Sequence, residues 1–365
     1  MKGVFPFMKT NIVEISPKQL ASGQAEEQLQ LVADYLCSGQ IVAFPTETVY
    51  GLGANALDEQ AVQGIFAAKG RPSDNPLIVH ISDVKDIDKV ADLSKFTPII
   101  SKRLQLLADK FWPGPLTCII PASKQLAENV TAGLDTVGVR IPDHPVALAI
   151  LQTVNLPVAA PSANTSGKPS PTSAEHVYHD LNGRIPLIVD GGETGLGVES
   201  TVIDLTSMIP TVLRPGGISI EQLNDVLGQV IIDPAIAYAS IGQLQPKSPG
   251  MKYTHYAPEG ELLVFFRDSI HRVLETINDL PLDKRLGLIC SNDSYHIFFE
   301  QANIEWSYLQ LHQARAEEIA RQLYKWLREV DKLGIELIFI EAIAADGVGY
   351  AVMNRMIKAA GGKVI

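Results

Sequence analysis

Three polar segments, each broken by glycine and proline, sit at the ends of short apolar runs in the first two-thirds of the chain. They are KGRPSDNPL (69–77), APSANTSGKPSPT (160–172) and GGETGLGVESTVIDL (191–205). Apolar runs too short for helices, closed by such loops, are what an open α/β sheet requires, and a sheet of that kind takes its ligands at the strand ends. None of the three is a Walker A loop: Gly167-Lys168 is followed by Pro169, and Ser162 stands where that motif needs its first glycine. The pattern therefore points to a nucleotide site that is not of the P-loop kind.

The rest of the first 228 residues keeps the same rhythm. Leu29, Val32, Ala33 and Leu36 form a helical stripe ending near Gly39, and QIVAF (40–44) reads as a strand running into PTETVYGLG (45–53). Asp58 is placed to cap a helix carrying Val62, Ile65 and Phe66, from whose C-terminal end Lys69 and Arg71 emerge. Further strands are expected at LIVHI (77–81), TCII (117–120), VAA (158–160), LIVD (187–190) and STVIDL (200–205). Helices are expected after Asp143 as cap, and after Thr172, where Thr172 and Glu175 have capping-box spacing. Residues 229–258, with four prolines and the segment SPGMKYTHYAP (248–258), break the rhythm and read as a linker. Alternation resumes with strands at 261–266, 285–290 and 335–340 and helices at about 314–333 and 351–360. A chain of 365 residues is long for one core, so the expected organisation is an α/β domain over 11–228, a linker over 229–258 and a smaller α/β domain over 259–365.

A net charge of −11, with 16 Lys+Arg against 24 Asp+Glu up to Gly228, argues against a dedicated nucleic-acid binder with a basic face. A few cations gathered in such an acidic domain are instead expected to have a ligand. Cys37, Cys118 and Cys290 have neither disulfide nor zinc spacing, and Cys37 and Cys118 lie in apolar runs, so both are expected to be buried thiols. The apolar part of MKGVFPFMKT is short for a signal peptide and no stretch reaches membrane length, so a cytoplasmic location is expected.

Lys69 and Arg71, two apart in a glycine–proline turn, can converge on one anion, with Asn75 at the same turn; two surface cations fit that spacing equally well. Ser162, Asn164, Thr165, Ser166 and Ser170 offer hydroxyls and amides suited to phosphate or ribose, although a Ser/Asn/Pro turn has the same composition. In TVGVRIP (136–142) strand alternation puts Thr136 and Arg140 on one face, where a cation either pairs with an acid or awaits an anionic substrate. Arg214, in VLRPGGI (212–218), carries the same ambiguity. His80 taken alone reads as a satisfied core or rim histidine; Glu47 and Glu199 have the chemistry of metal-binding or basic groups, but glutamates near a loop are usually solvated, which is the expectation here. No HExxH, His/Cys cluster or GxSxG elbow is present.

The order of these pieces is more specific than any one of them. PTETVYGLG, KGRPSDNPL, LIVHI, FWPGPLT, TVGVRIPDHP, APSANTSGKPSPT, GVESTVIDL, VLRPGGI and SPGMKYTHYAP together closely resemble the YrdC-type threonylcarbamoyl-AMP synthases in their two-domain form. The resemblance runs from about Ile12 onward and is densest over 45–217 and in the linker; beyond that it rests mainly on GVGYAVMNR (347–355). It implies an open twisted mixed sheet in the catalytic domain and a smaller Rossmann-like second domain. It implies condensation of L-threonine, bicarbonate or CO2, and ATP into threonylcarbamoyl-AMP with release of pyrophosphate, for a downstream tRNA threonylcarbamoyl transferase machinery. By motif position it implies that Arg71, Asn75, Thr136, Ser162, Ser170 and Arg214 contact ATP, with Asn164 bracing the loop. It likewise implies that Thr48, His80, Arg140, the Ala160 backbone and Ser200 hold threonine. Separately, Lys252, Tyr253, His255 and Tyr256 make the linker dense in polar-aromatic groups, so SPGMKYTHYAP is expected to fold over the loaded pocket with Tyr253 touching the nucleotide. Lys69 and Arg71 are the expected catalytic cations, and Mg2+ is expected through the ATP phosphates rather than through a protein cage. Neither a membrane nor tight direct nucleic-acid binding is expected. The competing reading is a double-stranded RNA or tRNA-binding module using the same cations; a carbamoyl-adenylate enzyme of hydrogenase maturation would need zinc-finger cysteines that this chain lacks.

Overall fold

Short runs of valine, isoleucine, leucine and alanine become strands here because both faces of the sheet they join are covered. The computed structural model describes residues 8–237, 256–281, 283–301 and 304–365. Its first eleven strands are β1 (Asn11–Glu14), β2 (Val42–Phe44), β3 (Gly51–Asn55), β4 (Ile78–His80), β5 (Leu116–Pro121), β6 (Thr136–Arg140), β7 (Val158–Ala159), β8 (Leu187–Asp190), β9 (Thr201–Asp204), β10 (Thr211–Arg214) and β11 (Ile231–Ile232). They pair in the order β1-β8-β2-β3-β7-β4-β6-β5-β9-β10-β11. Parallel neighbours such as β4 and β6, or β5 and β9, alternate with antiparallel ones such as β5 and β6, or β4 and β7. The sheet is mixed, in agreement with the α/β expectation.

The two faces are built differently. On one, Val79, Val137, Val139, Cys118 and Ile203 join a large core with Val62, Ile65 and Phe66 of the helix Glu59–Lys69 and Leu104, Leu107 and Phe111 of the helix Pro98–Phe111. On the other, the central strands contribute only Ile78, Ile119, Val202 and Leu213 to a small apolar floor. His80 alternates with Val79, and Arg140 with Val139, so both polar side chains belong to this second face. Towards β1, Val42, Phe44, Leu187 and Val189 pack with the helices Glu26–Cys37 and Pro145–Val154 in a further cluster.

Several local expectations need correction. Cys37 is exposed: it follows Leu36 by one residue, a rotation of about 100°, which carries it off the apolar stripe. The helix Ala174–Leu181 is capped by Ser173, whose side chain accepts from the His176 amide, so Thr172 does not form the anticipated capping box. The helix Pro145–Val154 is preceded by His144 at the cap with no side-chain bond, and Pro145 in its first turn, lacking an N–H, reduces the need for one. Strand β3 was not foreseen, because GLGAN has poor strand propensity. Its glycines answer to close packing: a Cβ at Gly53 would lie 2.7 Å from the Phe44 ring and 2.8 Å from Val158.

Contacts divide the chain into two units, one drawn from Met1–Ser166 and Ser170–Lys252, the other from Gly167–Pro169 and Tyr253–Ile365. The second unit holds β12 (Glu261–Phe265), β13 (Leu286–Ser291), β14 (Tyr308–His312) and β15 (Leu337–Glu341), all parallel in the order β12-β15-β13-β14. Its longest helix, Ala316–Lys332, buries Ile319, Leu323, Leu327 and Val330, a helical period that marks its inward face. Strand β14 escaped the sequence reading because YLQLH is a half-exposed edge strand whose Gln310 and His312 interrupt the apolar run.

Gly216 is the tightest backbone approach beside the polar face. A Cβ there would lie 2.3 Å from Glu199 O and from Thr201 N. Gly216→Ala is expected to lower stability by about 2 kcal/mol, because neither backbone atom has room to retreat. The urea unfolding midpoint at unchanged m-value measures it.

Candidate active site

The segment that follows β2 supports the two later polar loops through its backbone. The carbonyl of Glu47 accepts from Leu196 N (2.8 Å), and that of Thr48 from Gly197 N (3.1 Å). Tyr50 N donates to Pro171 O (2.9 Å), Tyr50 O accepts from Ala163 N (2.8 Å), and Leu52 N donates to Pro161 O (2.8 Å). The Tyr50 hydroxyl donates to Gly192 O at 2.6 Å. Burial and the nearby Asp190 push its pKa up, so it remains a neutral donor.

Lys69 ends its helix and is nearly fully buried. Gly70 follows in the left-handed region with φ 62°, turning the chain so that Arg71 N bonds back to Phe66 O (3.0 Å). The Lys69 ammonium donates to the carbonyls of Ser162 and, at 2.6 Å, Asn164, while its own carbonyl accepts from Ser166 N at 2.9 Å. Lys69 therefore fastens loop 162–166 to the helix end. The Arg71 guanidinium lies near the carbonyls of Asn75 (3.5 Å) and Pro76 (3.4 Å). Asn164 braces the same loop through Ser162 Oγ, which donates to its Oδ1 at 2.5 Å, and through Nδ2, which donates to Thr165 O at 2.8 Å. Asn75 is fully buried, and among the described residues neither atom of its side-chain amide has a hydrogen-bond partner.

On the polar face of the sheet, His80 and Arg140 are register partners on β4 and β6. Arg140 donates to Thr48 Oγ1 at 3.0 Å and forms an ion pair with Glu47. Thr117 comes one residue before Cys118, the partner of Val139, and so lies opposite Arg140. Thr117 Oγ1 is 2.8 Å from Ser200 Oγ, and Arg214 fixes Ser200 from behind, with Nε 3.1 Å from Ser200 O and Nη2 3.0 Å from Ser200 Oγ. His80, Arg140, Thr117 and Ser200 thus form one row across the ends of β4, β6, β5 and the start of β9. Thr136 occupies the same face at the other end of β6, half-buried. Ala160, just beyond β7, donates its N–H to Ile78 O at 2.9 Å. Ser170 donates to Glu199 Oε1 at 2.6 Å.

Glu47 and Glu199, read from sequence as solvated, are instead engaged in this network. Their partners lie 93 and 29 residues away, so no local pattern announces them. Thr117 was likewise missed, its strand having been read only for its apolar residues. Tyr253 and the segment 248–255 lie outside the described residues.

Burial and the neighbouring Arg140 charge lower the His80 pKa to about 3, so the imidazole is neutral at physiological pH. It stacks edge-on to Phe44, with ring centroids 6.3 Å apart.

A family described as "Telomere recombination", Sua5/YciO/YrdC, matches residues 34–216, and one described as "Threonylcarbamoyl-AMP synthase, C-terminal domain" matches residues 218–361. The chain belongs to the Sua5/YciO/YrdC family. It is 46% identical over 346 residues to a threonylcarbamoyl-AMP synthase of Pyrococcus abyssi, covering 93% of this chain and 96% of that protein. The threonylcarbamoyl-AMP synthase of Bacillus subtilis is also 46% identical, covering 93% and 95%. The crystal structure of P. abyssi Sua5 complexed with L-threonine superposes with a TM-score of 0.86 at 43% identity, covering 97% of this chain and 99% of that one. The first match spans most of the mixed sheet, and the second spans the parallel-sheet unit.

Two outcomes test the assigned roles. An unfolded histidine takes up a proton near pH 6.5, whereas folded His80 does so only near pH 3. Between these values the unfolded state binds more protons, so this group's contribution falls as pH drops below 6.5. His80→Phe is expected to lose about 2 kcal/mol less stability than wild type between pH 7.5 and pH 5, measured by urea unfolding at each pH. Lys69→Met removes a buried charged donor from two carbonyls and is expected to cost about 2 kcal/mol or more. Faster amide exchange confined to 162–166 in that variant marks Lys69 as the loop's brace.

Proposed function

We propose that the chain condenses L-threonine, bicarbonate or CO2, and ATP into threonylcarbamoyl-AMP, releasing pyrophosphate, and so acts as a nucleotidyltransferase. The observation that carries the reading is the row of His80, Arg140, Thr117 and Ser200 across neighbouring strand ends, with Thr48 bonded to the same guanidinium. A buried guanidinium on an otherwise apolar-floored face is suited to a small carboxylate, and the adjacent hydroxyls to a hydroxylated side chain. The P. abyssi relative's complex with L-threonine supports that choice of amino acid.

ATP is assigned to the neighbouring loops 71–75 and 162–166, with Ser170. Asn75, buried with its amide atoms unpartnered among the described residues, offers both a donor and an acceptor to a ligand. Arg71 supplies positive charge for the phosphates, and Thr136, Ser162, Ser170 and Arg214 are the further ATP contacts of the proposal. Lys69 contributes by holding the carbonyls of loop 162–166 in place and by adding its charge to the local field. Nucleotidyl transfer asks for this kind of help, alignment and charge neutralisation, more than for a covalent catalyst. Mg2+ belongs to the proposal as a companion of the ATP phosphates, where it offsets charge on the leaving pyrophosphate. Among the described residues no group of three or more His, Cys, Asp or Glu is placed to hold a metal. No described helix is long and apolar enough to cross a membrane. Delivery of the product to a tRNA threonylcarbamoyl transferase in the cytoplasm completes the reading.

The test is pyrophosphate release with ATP, bicarbonate and each amino acid in turn. Threonine is expected to drive release and serine to be distinctly poorer; release independent of the amino acid refutes the proposal. Arg71→Ala is expected to lower turnover about 100-fold, the scale of losing one transition-state donor.

A further inference from the structure

The Glu47–Arg140 ion pair is incomplete in a particular way. Arg140 uses one terminal nitrogen on Thr48 and the other on Glu47 Oε2, while among the described residues its buried Nε has no partner. Glu47 uses Oε2 on Arg140, and its buried Oε1 likewise has no partner among the described residues. One ion pair therefore carries a vacant cationic donor and a vacant anionic acceptor. Leaving either group without a partner in a desolvated place is costly, and an internal pair that needed nothing more would use both. A free α-amino acid presents the complementary set on one carbon, a carboxylate and an ammonium.

We propose that Glu47 is a substrate-binding residue that takes the α-ammonium of the amino acid through Oε1, while Arg140 takes the carboxylate. This rests on the reading of the site as a threonine site and deepens it. The ion pair is a clamp for a zwitterion, and it accounts for recognition of an amino acid as distinct from a hydroxy acid of the same shape. Its register is fixed locally. The Glu47 carbonyl is held by Leu196 N at 2.8 Å, and the next residue, Thr48, is held to Arg140 by its hydroxyl at 3.0 Å. The carboxylate is thus presented from a braced backbone. The neutral His80 beside Arg140 adds no second positive charge that would repel the ammonium.

The experiment is calorimetric titration of the full chain with L-threonine and with (2S,3R)-2,3-dihydroxybutanoate, which keeps the carboxylate and the side-chain hydroxyl and replaces the ammonium by a hydroxyl. Wild type is expected to prefer threonine on the order of 100-fold, the scale of leaving one member of a buried charge pair unpaired. In Glu47→Gln that preference is expected to shrink to about threefold or less, chiefly through weaker threonine binding, while Glu47→Asp, which keeps the charge, retains a clear preference. A merely structural role for Glu47 would weaken both ligands alike and leave the ratio intact. Equal affinity of wild type for the two ligands overturns the clamp without recourse to any variant, as does a Glu47→Gln protein that keeps the full preference. Wild type binding neither ligand overturns the threonine reading itself, an outcome distinct from a failure of the clamp.

Discussion

Backbone hydrogen bonding by the segment 47–52 is the constraint on which the rest of the site depends. Its carbonyls and amides hold Pro161, Ala163 and Pro171 on one side and Leu196 and Gly197 on the other. Loops of serine, glycine and proline have little apolar surface with which to fix themselves, and their backbone groups must find partners if they are to be buried. Here the partners come from one short connection between two sheet strands. Once that connection is set, Thr48 faces Arg140, Ser170 reaches Glu199, and the carbonyls of Ser162 and Asn164 stand where Lys69 can bind them.

The sheet adds a division of labour between its faces. Val79, Val137 and Val139 enter the large core, while their alternating neighbours His80, Thr136 and Arg140 look out over a floor of four apolar side chains. Packing against helices on one side makes the strands rigid and allows costly polar groups to be kept on the other. Burial of a guanidinium there requires compensation, supplied by Glu47 and Thr48. Burial of an imidazole next to it is tolerated because the imidazole stays neutral.

Much of this was legible in the sequence because it follows from local rules. Asp58 caps its helix, Gly70 ends it in the left-handed region, and Lys69 and Arg71 flank that C-terminal cap as expected. The strand alternation in TVGVR placed Thr136 and Arg140 on one face, as found. What escaped shares a different character. GLGAN became a strand because its neighbours Phe44 and Val158 exclude side chains. Glu47 became an ion-pair partner across 93 residues, and Lys69 a brace for carbonyls just as remote. Cys37 was misjudged because an apolar neighbourhood in sequence is not a shared helix face.

The sequence by itself determined the α/β character, the polar loops at strand ends and the roster of cations and hydroxyls, since each depends on periodicity and turn chemistry over a few residues. Only the tertiary structure decided which buried cation is spent on loop carbonyls and which is paired with a carboxylate. Lys69 and Arg140 are both buried and differ in no way that composition reveals. The difference lies in what surrounds them, two loop carbonyls for one and a half-used carboxylate for the other, and electrostatic partnership inside a protein is set by distance through space rather than along the chain.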